Sequence, residues 1–245
     1  MSTDYNLIMR HTLEVRLEKR FFPFFDIKGK MIDFVLKKVD GQTIRWENNS
    51  SRFDVGNKDL SEIFYFGIAN YGLQIEGVDS FESFSSKIDL LYSILETFDE
   101  YSPQTAIRIG TKSSILYHRQ GKGFEAISQI FKNKFLVNDN EFEKATKTKI
   151  DDIGFSFDLN HKKGKAKIQT GPMKKDEAII KVFGDHEKYK SFPQDNGIFF
   201  EIDYYQDDKD QIKQSAIKDI VKGNIENAQE IFEGFLNHFF NQSKK

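Results

Sequence analysis

The 245 residues carry 38% hydrophobic and 30% charged side chains with only four prolines, enough apolar content for a full core, which excludes a disordered chain. The absence of cysteine excludes disulfides, thiolate nucleophiles and Cys-ligated zinc or iron–sulfur centres. A net charge of −2 excludes a surface given over entirely to nucleic acid, while leaving room for a local basic face.

With 25 Phe and nine Tyr against one Trp, aromatic packing should supply much of the burial. Met1-Ser2-Thr3-Asp4-Tyr5 lacks the basic start and apolar run of a signal peptide, and nowhere do 18 apolar residues follow one another. The expectation is a cytoplasmic protein with no membrane partner.

In chain order, Thr12 to Glu18 alternates apolar and polar residues, with Leu13, Val15 and Leu17 on one face of a strand. Ile27, Met31, Phe34 and Val35 then fall at helical spacing, predicting a helix over 27–38 with Asp26 as its N-cap. Four short strand-like runs follow near 43–47, 51–56, 61–68 and 71–76, separated by Asn48-Asn49-Ser50, Gly56-Asn57 and Ala69-Asn70. Phe81, Phe84, Ile88, Leu91, Leu95 and Phe98 predict a second helix, opened by a capping box from Asp79 and Glu82 and stopped by Pro103.

The same order then begins again. Thr105 to Tyr117 reads as a strand, Gly121-Lys122-Gly123 as a turn, and Phe124, Ile127, Phe131 and Phe135 as a helix. After a polar connector come four alternating runs: Ile153 to Leu159, Ala166 to Thr170, Ala178 to Val182 and Ile198 to Tyr204. The chain closes on a long helix striped by Ile217, Val221, Ile225, Ala228, Phe232, Phe235 and Phe239, with a lysine-tipped tail from Asn241.

Each half, 1–103 and 104–245, thus reads strand, helix, four strands, helix. The expected class is α+β: a duplicated unit building antiparallel curved sheets with long helices on one face, joined in one globular unit. That order resembles the TATA-box-binding and helix-grip folds, a fold-level likeness that carries no function.

No residue set specifies a reaction: there is no nucleophile elbow, and His11, His118, His161, His186 and His238 share no metal-ligand spacing. No catalytic residue, metal site or cofactor is therefore assigned. Gly121-Lys122-Gly123 lacks the further residues of a phosphate loop. Glu201 and Asp203 share a strand face before Asp207, Asp208 and Asp210, an arrangement a metal-dependent nuclease would need, but acids where a strand enters a loop are normally just solvated, and that is the stronger reading.

Charge is divided along the chain. From Lys112 to Lys175 there are 14 Lys and Arg against seven Asp and Glu, a local +7, so the remainder carries −9. Within that stretch, His161-Lys162-Lys163-Gly164-Lys165-Ala166-Lys167 forms a hairpin tip, preceded by Lys144, Lys147 and Lys149. Lys162, Lys163, Lys165, Lys167, Lys144 and Lys147 are the candidates for contacting nucleic acid; the competing explanation is that such lysines guard exposed edges against aggregation.

Arg52-Phe53-Asp54-Val55, the Phe81–Phe98 helix, Ala106-Ile107-Arg108-Ile109-Gly110, Phe200-Glu201-Ile202-Asp203 and the helix from Asn224 to Phe240 carry a family resemblance. Over roughly 50–240 the chain resembles a sporadically distributed family of uncharacterised bacterial proteins of about this length. It departs at Thr111-Lys112-Ser113-Ser114, where the family continues its central strand with Arg-Tyr-Ile-Asn. The family's patchy distribution implies lateral transfer, as in defence islands.

The leading functional expectation is a non-enzymatic binding or adaptor protein, within a laterally transferred defence or toxin-neutralising system, acting on a protein partner. The alternatives are nucleic-acid binding through the 161–167 hairpin, with or without metal-dependent hydrolysis, and capture of a small ligand in an apolar cavity under the last helix. Phe235, Phe239 and Phe240 are candidate contacts to a second copy of the chain, the earlier turns of their helix packing on its own core.

Overall fold

In the computed structural model, residues 5–38, 45–48, 51–57, 59–98, 105–119, 122–136, 139–150, 152–184, 187–190 and 195–240 are described. The period-2 segments become β1 (Tyr5–Leu17), β2 (Arg45–Asn48), β3 (Arg52–Gly56), β4 (Glu62–Gly67), β5 (Asn70–Val78), β6 (Thr105–Arg119), β7 (Phe155–His161), β8 (Gly164–Lys174) and β9 (Asn196–Lys213). The helices are α1 (Phe24–Lys38), α2 (Phe81–Thr97), α3 (Phe124–Phe135), α4 (Asp139–Thr146), α5 (Lys175–Ala178), α6 (Glu187–Lys190) and α7 (Gln214–Phe240). The class is α+β. All nine strands join one antiparallel sheet in the order β2-β3-β4-β5-β1-β6-β9-β8-β7.

The alternation dictates a two-sided sheet. Leu13 and Val15, Phe53 and Val55, Phe64 and Phe66, Leu73 and Ile75, Phe200 and Ile202 are buried on one side, where α1, α2, α3 and α7 cover them. Phe232 of α7 meets Phe200 at 5.2 Å, and both Phe81 and Tyr117 at 6.3 Å. Phe239 lies 4.5 Å from Phe131 of α3 and is 1% exposed.

Several boundaries differ from the sequence expectation for local reasons. The first helix begins at Phe24, so Asp26 sits in its first turn instead of capping it. The cap of α2 is Ser80, whose Oγ accepts from Ser83 N at 3.3 Å, not Asp79. The connector after α3 contains α4. Ala178 to Val182, read as a strand, is helical: α5 runs into a π-helical turn over Ile179–Phe183.

The reason lies in the ladder. β8 continues to Lys174 and pairs directly with β9, Lys174 opposite Asn196, so no position remains for a strand between them. The inward residues are instead Ala178 and Phe183, five apart, while Ile180 is 81% exposed. Residues 43–44, Asn49-Ser50, Pro103, Gly121, His186 and Asn241 onward lie outside the described residues. No described helix is long and apolar enough to cross a membrane.

Candidate functional site

The second side of the sheet is where polar residues collect. Strand pairing arranges them in rows across β5, β1, β6, β9 and β8. One row runs Glu76, Arg10, Ser114, Glu201, Gln169; the next Gln74, Thr12, Lys112, Asp203, Lys167; a third Gly72, Glu14, Gly110, Tyr205, Lys165. Beyond these Arg16 stands beside Arg108, itself opposite Asp207. Arg52 and Asp54 of β3 extend the same side.

The rows are electrically balanced. Arg10 pairs with Glu76 at 2.7 Å, Arg16 with Glu14 at 2.5 Å, Arg52 with Asp54 at 2.5 Å and Lys112 with Glu201 at 2.8 Å. Arg108 reaches Asp203 at 3.4 Å and Asp207 at 3.8 Å, and its guanidinium lies 4.3 Å from the Tyr205 ring. Partial burial pushes the Asp203 carboxyl above the usual range, opposed by Arg108 and Lys112. Ser114 Oγ donates to Glu201 at 2.9 Å. Glu201 and Asp203, the pair read as potential metal ligands, are thus each held by a cation from β6. Among the described residues no group of three or more His, Asp or Glu could hold a metal ion.

Two glycines shape this side. A Cβ on Gly72 would lie 1.9 Å from the Leu13 carbonyl oxygen and within 2.7 Å of the Tyr65 ring; the bare backbone lets Tyr65 cross β5 and donate to Leu13 O at 2.7 Å. Gly77 has φ of 64° and abuts Lys188, so it supplies both a left-handed turn and room for the segment lying over it.

That segment, 175–184 with 187–190, forms a strap across one end of the polar side. Ala178, Phe183 and Tyr189 bury themselves against Ile8 of β1 and Leu116 of β6, a small core separate from the main one. Phe183 and Tyr189 stack at 4.3 Å. Arg10 clamps the strap: it donates to Val182 O at 2.5 Å and Phe183 O at 2.7 Å, carbonyls that end the π-helical turn. Tyr189 donates to Glu76, and burial with that carboxylate drives its phenol pKa up. Glu76→Gln should therefore loosen the strap before the sheet: trypsin should cut after Lys181 or Lys190 several-fold faster at unchanged far-UV circular dichroism. An unchanged cleavage rate would show that the clamp contributes nothing.

Between the strap and the rows lies a cavity of about 480 Å³. Thr12, Gln74, Lys112, Ser114, Gln169 and Glu201 line it from the sheet, together with the cations Arg10 and Lys181 and the apolar Met173, Val182 and Phe199.

The candidate lysines do not converge. Lys162 and Lys163 form the β7–β8 turn, with Lys162 at φ of 51°, but Lys162 Nζ is bound to Asn227 at 2.8 Å and Glu230 at 2.6 Å. Lys165 and Lys167 stand on the polar side, opposite Tyr205 and Asp203. Lys144 and Lys147 line a separate shallow hollow at the C-terminal end of α4, with Glu143, Thr148 and Lys149 and none of the hairpin lysines. Of the candidate interface residues, Phe239 is in the core of this chain, whereas Phe235 and Phe240 are half-buried beside it. The strap and its clamp had no sequence signal, since Arg10 and Val182 are 172 positions apart.

The sequence matches no protein-family model and is significantly similar to no curated protein.

Proposed function

We propose that this is a non-enzymatic binding protein that docks a protein partner on the polar side of its sheet, the adaptor role expected from the sequence, in a defence or toxin-neutralising setting. The observation that carries it is the charge balance of that side. Among the described side chains, Arg10, Arg16, Arg52, Arg108, Lys112, Lys165 and Lys167 face Glu14, Asp54, Glu76, Asp158, Glu201, Asp203 and Asp207. A phosphate backbone rewards excess cations and would have to displace these acids. A protein surface of mixed charge can instead match the rows sign for sign.

The resemblance to the sporadically distributed family supports the same side. Arg52 and Asp54, Arg108 and Gly110, Glu201 and Asp203 all belong to the stretches that carry it, and all fall on this side of the sheet. We also infer a duplicated fold of the TATA-box-binding order. Its support is the mirrored succession β2-β3-β4-β5-β1 and β7-β8-β9-β6 about the adjacent β1 and β6, with three strands after β6 in the second half and the strap in place of a fourth.

Arg16→Glu with Arg108→Glu, checked for folding, is expected to lose a protein that the wild-type chain retains from a lysate of its source cell and then binds in purified form. Retention of that partner by the variant would sink the proposal. So would tight binding to a DNA or RNA oligonucleotide that weakens steeply between ~50 and ~200 mM salt, the result expected of the lysine-hairpin alternative.

A further inference from the structure

We infer that the cavity beneath the strap binds a free α-amino acid with an apolar side chain. A volume of about 480 Å³ falls in the size range of small-ligand sites, which combine apolar walls with a few placed polar groups. The charges around it decide the ligand's character.

Two of the three cations are paired with carboxylates that do not line the cavity. Arg10 holds Glu76 and two strap carbonyls, and Lys181 holds Glu177 at 2.6 Å. What remains is one pair, Lys112 and Glu201, 2.8 Å apart, with the lysine side chain 47% exposed. A ligand of net charge would satisfy one member of this pair and oppose the other. A zwitterion meets both, exchanging one ion pair for two and leaving no buried charge alone.

An α-amino acid carries its ammonium and carboxylate close enough together to face partners this near each other. The carboxylate is placed toward Lys112 and the hydroxyl of Thr12, directly opposite it on β1. The ammonium is placed toward Glu201, beside Gln169 on β8. The side chain then lies against Phe199, Met173 and Val182, where burying apolar surface adds affinity and a charged side chain would be penalised.

Isothermal titration of the full chain with L-phenylalanine, 3-phenylpropionate and 2-phenylethylamine tests this. L-Phenylalanine should bind saturably, and each half-ligand, lacking one charge, should bind at least roughly tenfold more weakly, the equivalent of one charge-assisted contact. Lys112→Met should weaken L-phenylalanine by a similar factor and strengthen 2-phenylethylamine, whose ammonium the lysine no longer opposes; Glu201→Gln should likewise weaken L-phenylalanine and strengthen 3-phenylpropionate. The inference is overturned by absence of saturable binding, by a half-ligand binding as tightly as the amino acid, or by variants that bind it unchanged. Should either variant fail to fold, the three-probe comparison on the wild-type chain decides alone.

Discussion

Phe239→Ala is expected to lower the free energy of unfolding by about 3–5 kcal/mol, the usual cost of emptying a buried phenylalanine site. The ring is 1% exposed and lies 4.5 Å from Phe131, 5.6 Å from Phe235 and 6.5 Å from Phe135. It therefore ties the last turn of α7 to α3 within one chain. Against a typical domain stability of about 5–15 kcal/mol, the loss is large, and Phe239→Asp, which buries an unpaired charge there, should leave no folded protein. Phe240, half-buried 5.6 Å from Tyr117, should cost distinctly less. Urea unfolding followed by circular dichroism, with light scattering for oligomeric state, separates the outcomes. A Phe239→Asp chain that stays folded as a monomer would instead assign the ring to an interface between copies.

What was legible in the sequence follows the range of the forces involved. Leu13, Val15 and Leu17 announce a strand because alternate side chains share a face, and Phe81 to Leu95 a helix because three- and four-residue steps do; both patterns survive in β1 and α2. Ala178, Ile180 and Val182 alternate as well, yet with β9 already paired to β8 the tertiary context overrides the local pattern and turns them into the strap. The site is harder to read than the fold. That Glu201 and Asp203 share a face follows from their spacing, but that Lys112 and Arg108 stand opposite them depends on pairing β6 with β9, about 90 positions away in sequence, which no local signal encodes. The lysines of 161–167 look like one basic cluster along the chain. In three dimensions Lys162 is consumed by α7, while Lys165 and Lys167 join rows that already hold acids.

Acidification should destabilise this protein through a group that no functional argument uses. His11 is fully buried on the helix side of β1, stacked on Phe84 at 4.8 Å and beside Phe81 at 5.0 Å, with Nδ1 2.8 Å from Ser113 Oγ. Burial pushes its pKa down to about 3, a contact with the Ser80 backbone opposing the shift only in part. Between the ordinary histidine value of 6.5 and about 3, the unfolded chain therefore binds a proton that the folded chain refuses. More protons on the unfolded state means that stability rises with pH in this window and is lost as pH falls, by about 1.4 kcal/mol per unit once well below 6.5. Above 6.5 both states carry neutral imidazole and the contribution is constant. His11→Gln keeps a hydrogen-bonding group near Ser113 without a titration in this range, so it should cost stability at pH 7.5 yet flatten the decline between pH 6.5 and 4 by close to one proton. Denaturant unfolding of both chains at half-unit pH intervals gives that proton count as the difference in slope. Equal slopes would mean that His11 is protonated in the folded protein, and that the Phe81–Phe84 pocket tolerates a charge its burial argues against.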